Sequence, residues 1–375
     1  MKNKVILLSL VMAAMLSMTG CSEKAATPTD TPAAVETPAA EAPKAEPVEE
    51  KDALETNVIR WNYGTSGNVM LTIAQEKGFL EEEGLSIELV SATANADAMA
   101  LLATGKTDIV SNSGTSNPLQ QIASGVDLTV FGGHMVDGCM PVLAKKGTEW
   151  NGVQDFIGKK VAINPAYFAF TGAVMDLGYE DPLTAVDWVV YSNYNDAMAA
   201  VVKGEVEYAL QGTGQMYPVS NMNEIEIVTY QGKVMPNYSC CRLVAQTDFI
   251  KNNPNTVKAL MRALIRAQQY YEANKEEAVT LQAENIKTTE EYVAAYMLNE
   301  NYVVNPDPLK NSVIRAWGIL DKTGFLNEKA KEINILDHIN TDLYKAALDE
   351  VVAEYGSEDP EFYERLQKFY EENNL

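Results

Sequence analysis

Basic side chains, histidine and cysteine are scarce in this sequence. Its 375 residues include 52 acidic side chains against 29 lysines and arginines, with two histidines and four cysteines, and the formal charge is −23. Such an acidic chain disfavours nucleic acid and anionic membrane surfaces as partners. Two histidines and no Cys-x-x-Cys spacing leave little from which to build a transition-metal site, so we expect neither a metal nor another cofactor.

Motifs that mark a catalytic centre are absent as well. The sequence has no Gly-x-Ser-x-Gly elbow, no His-Glu-x-x-His pair and no phosphate-binding loop. His134 and Asp137 are close enough along the chain for a base and its orienting carboxylate, but a turn histidine has the same spacing. We therefore expect a protein that is not an enzyme.

The N-terminal apolar run is too short for a comfortable membrane span. Two lysines precede it, it extends from Val5 to Leu16, and small residues follow as far as Cys21. This layout is typical of a secretory signal peptide at residues 1–20. The ending "SMTGC" resembles the bacterial lipobox, which implies a lipid on Cys21 and an extracytoplasmic protein anchored to the bacterial cell membrane. An ordinary secretory signal with an incidental cysteine is the alternative.

Residues 21–56 lack apolar periodicity and are rich in Ala, Pro, Thr and Glu. A segment of this composition buries too little apolar surface to offset the entropy cost of ordering, so we predict a disordered linker behind the lipid anchor. The remaining body begins near residue 57. Its length of roughly 320 residues is enough for two packed lobes.

Strand-like and helix-like runs alternate through residue 246, which predicts α/β lobes with mostly parallel sheets. Strands are predicted at 58–63, 85–91, 107–111, 128–133, 139–145, 160–164, 187–191, 206–210, 225–230 and 239–245. Helices are predicted at 68–77, 95–104, 117–124, 169–178, 194–203 and 214–220. Beyond residue 246 the pattern is nearly all helical, with Val257, Leu260, Met261, Leu264 and Ile265 at helical spacing.

Two similar apolar strands, 139–145 and 238–245, enclose a self-contained α/β unit. This arrangement predicts two hinge strands that cross between two lobes. Residues 57–138 and 246–375 would form lobe 1, which includes the helical C-terminal part, and residues 146–237 would form lobe 2. Ligands of such lobes bind in the crevice at the carboxyl ends of the strands.

Polar corners recur where strands lead into helices. "NYGTSGN" begins at Asn62 and "NSGTSNP" at Asn112, and similar corners lie near Thr171, Asn193 and Gln211. Each corner alone is explained by helix capping, with Ser116 or Asn117 as the N-cap of the second one. Several corners from both lobes favour a shared ligand cleft, in which helix starts and small side chains hold a solute.

The segments "IAQEKGFLEEEGLSIELV", "ALLATGKTDIV", "IGKKVAIN" and "NDAMAAVVKGEVEYAL" resemble the solute-binding proteins of ABC importers. The subgroup is the one that handles nitrate, taurine, alkanesulfonates and thiamine-pyrimidine precursors, and the likeness covers about residues 57–336. It implies a two-lobed periplasmic-binding-protein-like clamp of type II. Such a clamp closes on a small solute and delivers it to an ABC permease and its ATPase, and the expected state is a monomer.

The resemblance also implies that the strand-end corners line the pocket. Carried over to this sequence, the ligand-binding residues are Tyr63, Ser66, Asn112, Ser113, Thr115, Tyr167, Thr171, Asn193, Tyr194 and Gln211. The second hinge strand adds Tyr238 and Arg242 as candidates. Arg242 has the fork geometry for a carboxylate or sulfonate, and a surface salt bridge is its alternative role.

Arginine is scarce in the body whereas tyrosine is dense near the corners, which favours a flat heteroaromatic solute such as a pyrimidine precursor. A sulfonate, taurine or nitrate is the alternative within the same family, and a tethered ligand sensor is a further one. Cys139, Cys240 and Cys241 permit a hinge disulfide or three buried free thiols. The cysteine pair is similar to the pyrimidine-synthase branch of the wider family, whose members are enzymes, but that branch has a longer cysteine run.

Overall fold

The computed structural model describes residues 53–64, 67–92 and 95–375. Cys21, Ser66, the predicted signal peptide and most of the predicted linker therefore lie outside the described residues. The eleven described strands are β1 Val58–Asn62, β2 Ser86–Leu89, β3 Ile109–Val110, β4 Leu128–Gly138, β5 Pro141–Lys145, β6 Lys160–Ala162, β7 Asp187–Trp188, β8 Tyr208–Leu210, β9 Ile225–Tyr230, β10 Cys241–Gln246 and β11 Tyr302–Val304.

Helices lie between these strands and make up most of the chain after β10. The first nine are α1 Val69–Glu76, α2 Phe79–Glu82, α3 Asn95–Ala103, α4 Ser116–Ala123, α5 Phe168–Asp176, α6 Pro182–Ala185, α7 Tyr194–Lys203, α8 Met216–Ser220 and α9 Gln231–Val234. The later ones are α10 Thr247–Asn252, α11 Pro254–Ala273, α12 Lys275–Asn285, α13 Glu290–Met297, α14 Lys310–Lys322, α15 Asp342–Tyr355 and α16 Pro360–Asn374. Short 3₁₀ helices occur at Val153–Phe156, Thr213–Gln215, Glu328–Glu332 and Ile335–His338.

The strands form two mixed sheets, in the orders β11-β4-β10-β3-β1-β2 and β7-β6-β8-β5-β9. In the first sheet β1 is parallel to β2 and β3, while β10 and β11 pair antiparallel with their neighbours. In the second, β6 is parallel to β7 and β8, while β5 is antiparallel to β8 and β9. The prediction of mostly parallel sheets is wrong, because β5, β10 and β11 all pair antiparallel with their neighbours.

The chain passes from the first sheet to the second between β4 and β5, and it returns between β9 and β10. Both predicted hinge strands thus lie almost wholly within one sheet, β5 in the second and β10 in the first. The passages are residues 139–140 and 231–240, here called the first and second connections. Cys139, Asn237 and Ser239 have φ of 49°, 51° and 62°, a left-handed backbone that non-glycine residues rarely adopt.

The predicted apolar face of the long C-terminal helix is confirmed. Val257, Leu260, Met261, Leu264 and Ile265 of α11 are fully buried. They belong to the larger of two apolar cores among the described residues, and α11 packs against α1 and α15 there. The smaller core lies under the second sheet and includes residues of α7, β5 and β8. Truncating one of these α11 leucines to alanine should cost about 2–5 kcal/mol.

One strand within the predicted helical part was missed. β11 is only three residues long, yet it pairs with β4, Tyr302 opposite Gly138 and Val304 opposite Met135. This pairing extends β4 to 11 residues, well past the predicted end at residue 133. Among the helices of residues 53–64, 67–92 and 95–375, none is both long and apolar enough to cross a membrane.

Candidate functional site

A cavity of about 800 Å³ lies between the loops of the two sheets. Its lining comes from the segment before and within α4, from both connections, from the loops after β6 and β8, and from the C-terminal helical part. We call it the main cavity. Its lining residues are Gly64, Asn112, Ser113, Gly114, Thr115, Ser116, Asn117, Gln120, Met135, Met140, Asn164, Ala166, Tyr167, Tyr194, Gly212, Thr213, Gly214, Gln215, Tyr238, Cys240, Cys241, Ile286, Tyr292 and Phe325.

The polar segment 112–117 forms one wall of the main cavity. α4 begins at Ser116, and Thr115 in the N-cap position makes no side-chain capping bond, so the predicted cap at Ser116 or Asn117 is wrong. These hydroxyls instead reach other parts of the chain. Thr115 Oγ1 donates to the Ser239 carbonyl, and Ser116 Oγ donates to the Ala166 carbonyl at 2.6 Å. The segment therefore contacts the second connection and the loop after β6.

A buried histidine fixes the first residue of this wall. His134 Nδ1 lies 3.0 Å from Asn112 Oδ1, and Asn112 Nδ2 donates to the Gly67 carbonyl at 2.6 Å. Burial lowers the pKa of His134 to about 3, helped by the nearby positive charge of Arg242. The ring is therefore neutral at neutral pH, and its Nδ1 donates to the amide oxygen. This hydrogen bond orients Asn112 at the cavity surface.

Tyrosines dominate the opposite wall. The hydroxyls of Tyr167 and Tyr194 lie 3.2 Å apart. Tyr238 is buried and stacks on Phe168 with ring centroids 4.4 Å apart and planes at 25°. Burial raises the pKa of all three phenols, so each stays protonated and uncharged. The Tyr194 ring packs so closely on Gly212 that a Cβ there would lie 2.6 Å from it.

Two neighbouring thiols reach the main cavity. Cys240 Sγ and Cys241 Sγ are 3.8 Å apart, and Cys139 is buried away from the lining. All three are free thiols, so the disulfide alternative is wrong for this structure. The hydrogen bond between the pair raises the pKa of Cys240 and lowers that of Cys241. Cys241 is therefore the thiol of this pair that loses its proton first, whereas burial raises the pKa of Cys139 to about 12.

The C-terminal helical part closes one side, which the sequence did not predict. Ile286 follows α12, Tyr292 lies on α13 and Phe325 follows α14. A Cβ placed on Gly214, in the 3₁₀ turn after β8, would overlap the Tyr292 hydroxyl. Tyr292 also packs against Tyr217 of α8 with centroids 6.3 Å apart. No local sequence signal marks these residues, because only the tertiary fold brings them to the cleft.

None of the lining residues described carries a formal charge. Amides, hydroxyls, thiols, thioethers and aromatic rings make up the wall, although the whole chain has a charge of −23. An anionic solute would find no arginine or lysine in this lining. The arrangement suits an uncharged solute that offers both hydrogen-bonding groups and a flat apolar face.

A smaller cavity of about 610 Å³, here called the side cavity, adjoins the main one. The two share Asn164, Tyr167, Tyr194 and Gln215. The rest of the side cavity comes from the ends of β6 and β8, from the segment between β7 and α7, and from α7 itself. These residues are Ala162, Ile163, Val189, Val190, Tyr191, Ser192, Asn193, Asn195, Ala197 and Leu210.

Six of the twelve predicted residues line the main cavity: Asn112, Ser113, Thr115, Tyr167, Tyr194 and Tyr238. Asn193 lines only the side cavity, where its Oδ1 also caps α7 by accepting from the Asp196 amide at 2.9 Å. Tyr63, Thr171, Gln211 and Arg242 line neither cavity.

Three of these four residues, Thr171, Gln211 and Arg242, are buried in the protein. Thr171 is fully buried, and its hydroxyl donates to the Pro165 carbonyl at 3.3 Å. Gln211 is fully buried too, with no described hydrogen-bond partner for either side-chain amide atom. Arg242 is 2% exposed, so its surface salt-bridge alternative is wrong. Its terminal nitrogens donate to the carbonyls of Asp307 at 2.6 Å and Met135 at 2.7 Å.

Two α/β sheets with a cleft between their loops place the chain in the class with the periplasmic-binding-protein fold. The chain belongs to the NMT1/THI5 like family, which matches residues 67–278. The predicted resemblance and the predicted fold class are thereby confirmed.

Solved structures share the fold at low sequence identity. The periplasmic aliphatic sulphonate binding protein SsuA from Escherichia coli has a TM-score of 0.64 and 16% identity, over 76% of this chain and 92% of its own. The periplasmic nitrate-binding protein NrtA from Synechocystis PCC 6803 has a TM-score of 0.63 and 17% identity, over 80% of this chain and 90% of its own. These likenesses show the fold.

One curated relative is named as an enzyme rather than as a binding protein. The 4-amino-5-hydroxymethyl-2-methylpyrimidine phosphate synthase of Schizosaccharomyces pombe is 24% identical over 230 residues, which is 56% of this chain. The chain spans 63% of the length of that relative. One relative of the chain is thus named as an enzyme, whereas solved structures that share its fold are named as binding proteins.

Proposed function

We propose that this chain is the extracytoplasmic solute-binding component of an ABC importer. It closes two lobes on a small organic solute, with a flat heteroaromatic such as a pyrimidine precursor favoured, and delivers it to a permease and its ATPase. The uncharged, tyrosine-rich main cavity between the two sheets is the observation that carries this proposal. The fold shared with sulphonate- and nitrate-binding proteins supports the binding role.

The favoured solute follows from the charge and shape of the cavity. Tyr167, Tyr194 and Tyr238 offer ring faces and neutral hydroxyls, and aromatic rings prefer offset or edge contacts with other flat systems. A sulfonate, taurine or nitrate is the alternative. Such an anion would depend on the amides and hydroxyls of segment 112–117, since Arg242 already donates to two main-chain carbonyls.

The two connections supply the hinge of the proposed clamp. Lobe 1 would comprise residues 57–138 and 246–375, and lobe 2 residues 146–237. Three non-glycine residues with left-handed φ lie in the connections, and such strained positions cluster where a chain must bend or switch. In this proposal, closure is favoured by contacts between the two halves of the cleft, such as that of Ser116 Oγ with the Ala166 carbonyl.

Titration calorimetry on single variants tests the placement of the site. Tyr194→Phe removes a hydroxyl of the cavity wall, and Thr115→Ala removes the one that bonds to Ser239. Each should weaken solute binding about tenfold, since losing one buried hydrogen bond costs about 1–2 kcal/mol. Tyr179→Phe is the matched control, because Tyr179 is 41% exposed and outside both cavities. Unchanged affinity in both site variants would exclude this placement.

The proposal of a binding protein without catalytic activity is tested in the same titrations. A solute recovered unchanged after prolonged incubation supports it, and a converted product favours the synthase-like alternative. The proposed lipid anchor is tested separately by metabolic labelling with a radioactive fatty acid. Label should enter the chain through Cys21 and be lost in Cys21→Ser.

A further inference from the structure

We propose that the solute has two parts: a flat ring in the main cavity and an uncharged, polyhydroxylated substituent in the side cavity. A nucleoside, a ring joined to an unphosphorylated pentose, is the simplest molecule of this class. This inference rests on the proposed function, because it assumes that the main cavity holds the solute.

The size of the cavities argues against a single ring. The main cavity of about 800 Å³ has the volume of roughly 27 waters, at about 30 Å³ for each water in the liquid. The side cavity adds about 610 Å³, and it adjoins the main cavity at four shared lining residues. A solute as small as a pyrimidine, taurine or nitrate would leave most of this space to water.

The junction between the cavities has the groups that a hydroxyl needs. One of the paired hydroxyls of Tyr167 and Tyr194 donates to the other, so the second O–H is left to donate outward. Gln215 Oε1, on the same junction, is buried and has no described hydrogen-bond partner. A donor and an unpartnered acceptor at the same junction match a sugar hydroxyl, which both accepts and donates.

The lining of the side cavity disfavours a charged substituent on the solute. Its polar lining consists of amides and hydroxyls, including Asn164, Ser192 and Asn195, with no arginine, lysine or carboxylate among its lining residues. Asp196 accepts from Nδ2 of the lining residue Asn193 at 2.7 Å, and its negative charge would repel an anion. Neutral hydroxyls fit this chemistry, whereas a phosphate would lack a cation and lie near a negative charge.

Calorimetry with matched triples tests the proposal on the full chain. The probes are uracil, uridine and uridine 5′-monophosphate, with adenine, adenosine and adenosine 5′-monophosphate, and taurine, nitrate and a pyrimidine precursor in the same series. At least one nucleoside should bind at least tenfold more tightly than both its base and its monophosphate.

The proposal is overturned if each base binds as tightly as its nucleoside, if the monophosphates bind more tightly, or if none of the six binds. Binding of taurine, nitrate or the precursor in that last case would leave the proposed function standing. Absence of binding by every probe would count against both proposals.

Two side-cavity variants locate the substituent. Asn195 is exposed on α7 and lines only the side cavity, and its side chain has no described hydrogen-bond partner, so Asn195→Leu should leave folding intact. Asn195→Leu should weaken nucleoside binding about tenfold and change base binding less than twofold, whereas Gln215→Leu, at the junction of the two cavities, should weaken nucleoside binding more than base binding. Asn223→Leu, in an exposed loop outside both cavities, is the control. Equal losses for base and nucleoside, or no loss in either variant, would contradict the assignment.

Discussion

Replacing His134 with glutamine should remove a large part of the loss of stability at acidic pH. Burial holds the pKa of the folded-state imidazole at about 3, against about 6.5 in the unfolded chain. Between these values the unfolded state binds a proton that the folded state excludes. The folded state is therefore favoured above about pH 6.5, and this contribution is lost as the pH falls towards 3. At pH 5 the loss amounts to about 2 kcal/mol.

Glutamine carries a neutral amide, is similar in size to the imidazole and does not titrate. Denaturant unfolding at pH 7.5 and pH 5 gives the free energy of unfolding of parent and variant at both values. The drop between the two pH values should be about 2 kcal/mol smaller in His134→Gln. Burial raises the pKa of Asp307 to about 6, which acts in the opposite sense, but comparison with the parent cancels that contribution. Equal drops in the two proteins would refute the reasoning.

Three further changes test separate contacts. Arg242→Met should lower the free energy of unfolding by about 2 kcal/mol in denaturant titrations, because two buried carbonyls lose a charged donor. Solute affinity should stay within twofold, and a tenfold loss of affinity would indicate that Arg242 binds the solute. Gly214→Ala should weaken solute binding about tenfold in calorimetry, because the added methyl group displaces Tyr292. Adding Tyr292→Ala should recover part of that loss, whereas additive losses would show that Gly214 and Tyr292 do not act through their contact. Iodoacetamide should alkylate Cys241 in the native protein unless solute is bound, and it should alkylate Cys139 only after unfolding. Equal labelling of the two thiols in the native protein, measured by mass spectrometry, would contradict this expectation.

The periodic elements were predictable because their signals are local. The apolar face of α11 and the strand–helix alternation before residue 246 follow directly from residue spacing. Strand direction is not a local property, so the antiparallel strands β5 and β10 were placed in the chain but not in their sheets. β11 was missed because three residues between two helical patterns carry almost no signal until β4 pairs with them.

The candidate site, too, was predictable only where its residues carry a local sequence signal. Corners rich in small polar residues drew attention to Asn112 and Thr115, which line the main cavity. The bonds of Arg242 to two main-chain carbonyls could not be predicted, because the sequence does not show which groups a guanidinium will face. Tyr292 and Phe325 come from distant parts of the chain, and only the packing of the C-terminal helices brings them to the cavity.

Thermal unfolding of the full chain against a solute panel tests the proposed binding role most directly. The panel comprises pyrimidine precursors, nucleosides, flavins, aromatic acids, taurine, alkanesulfonates and nitrate. A solute at a hundred times its dissociation constant adds about 2.7 kcal/mol to the stability of a protein that binds it only when folded. We predict a raised midpoint with at least one uncharged heteroaromatic solute and none with taurine, alkanesulfonates or nitrate. A midpoint raised by taurine, alkanesulfonates or nitrate alone, or by no solute, would contradict an uncharged cavity built for a flat ring.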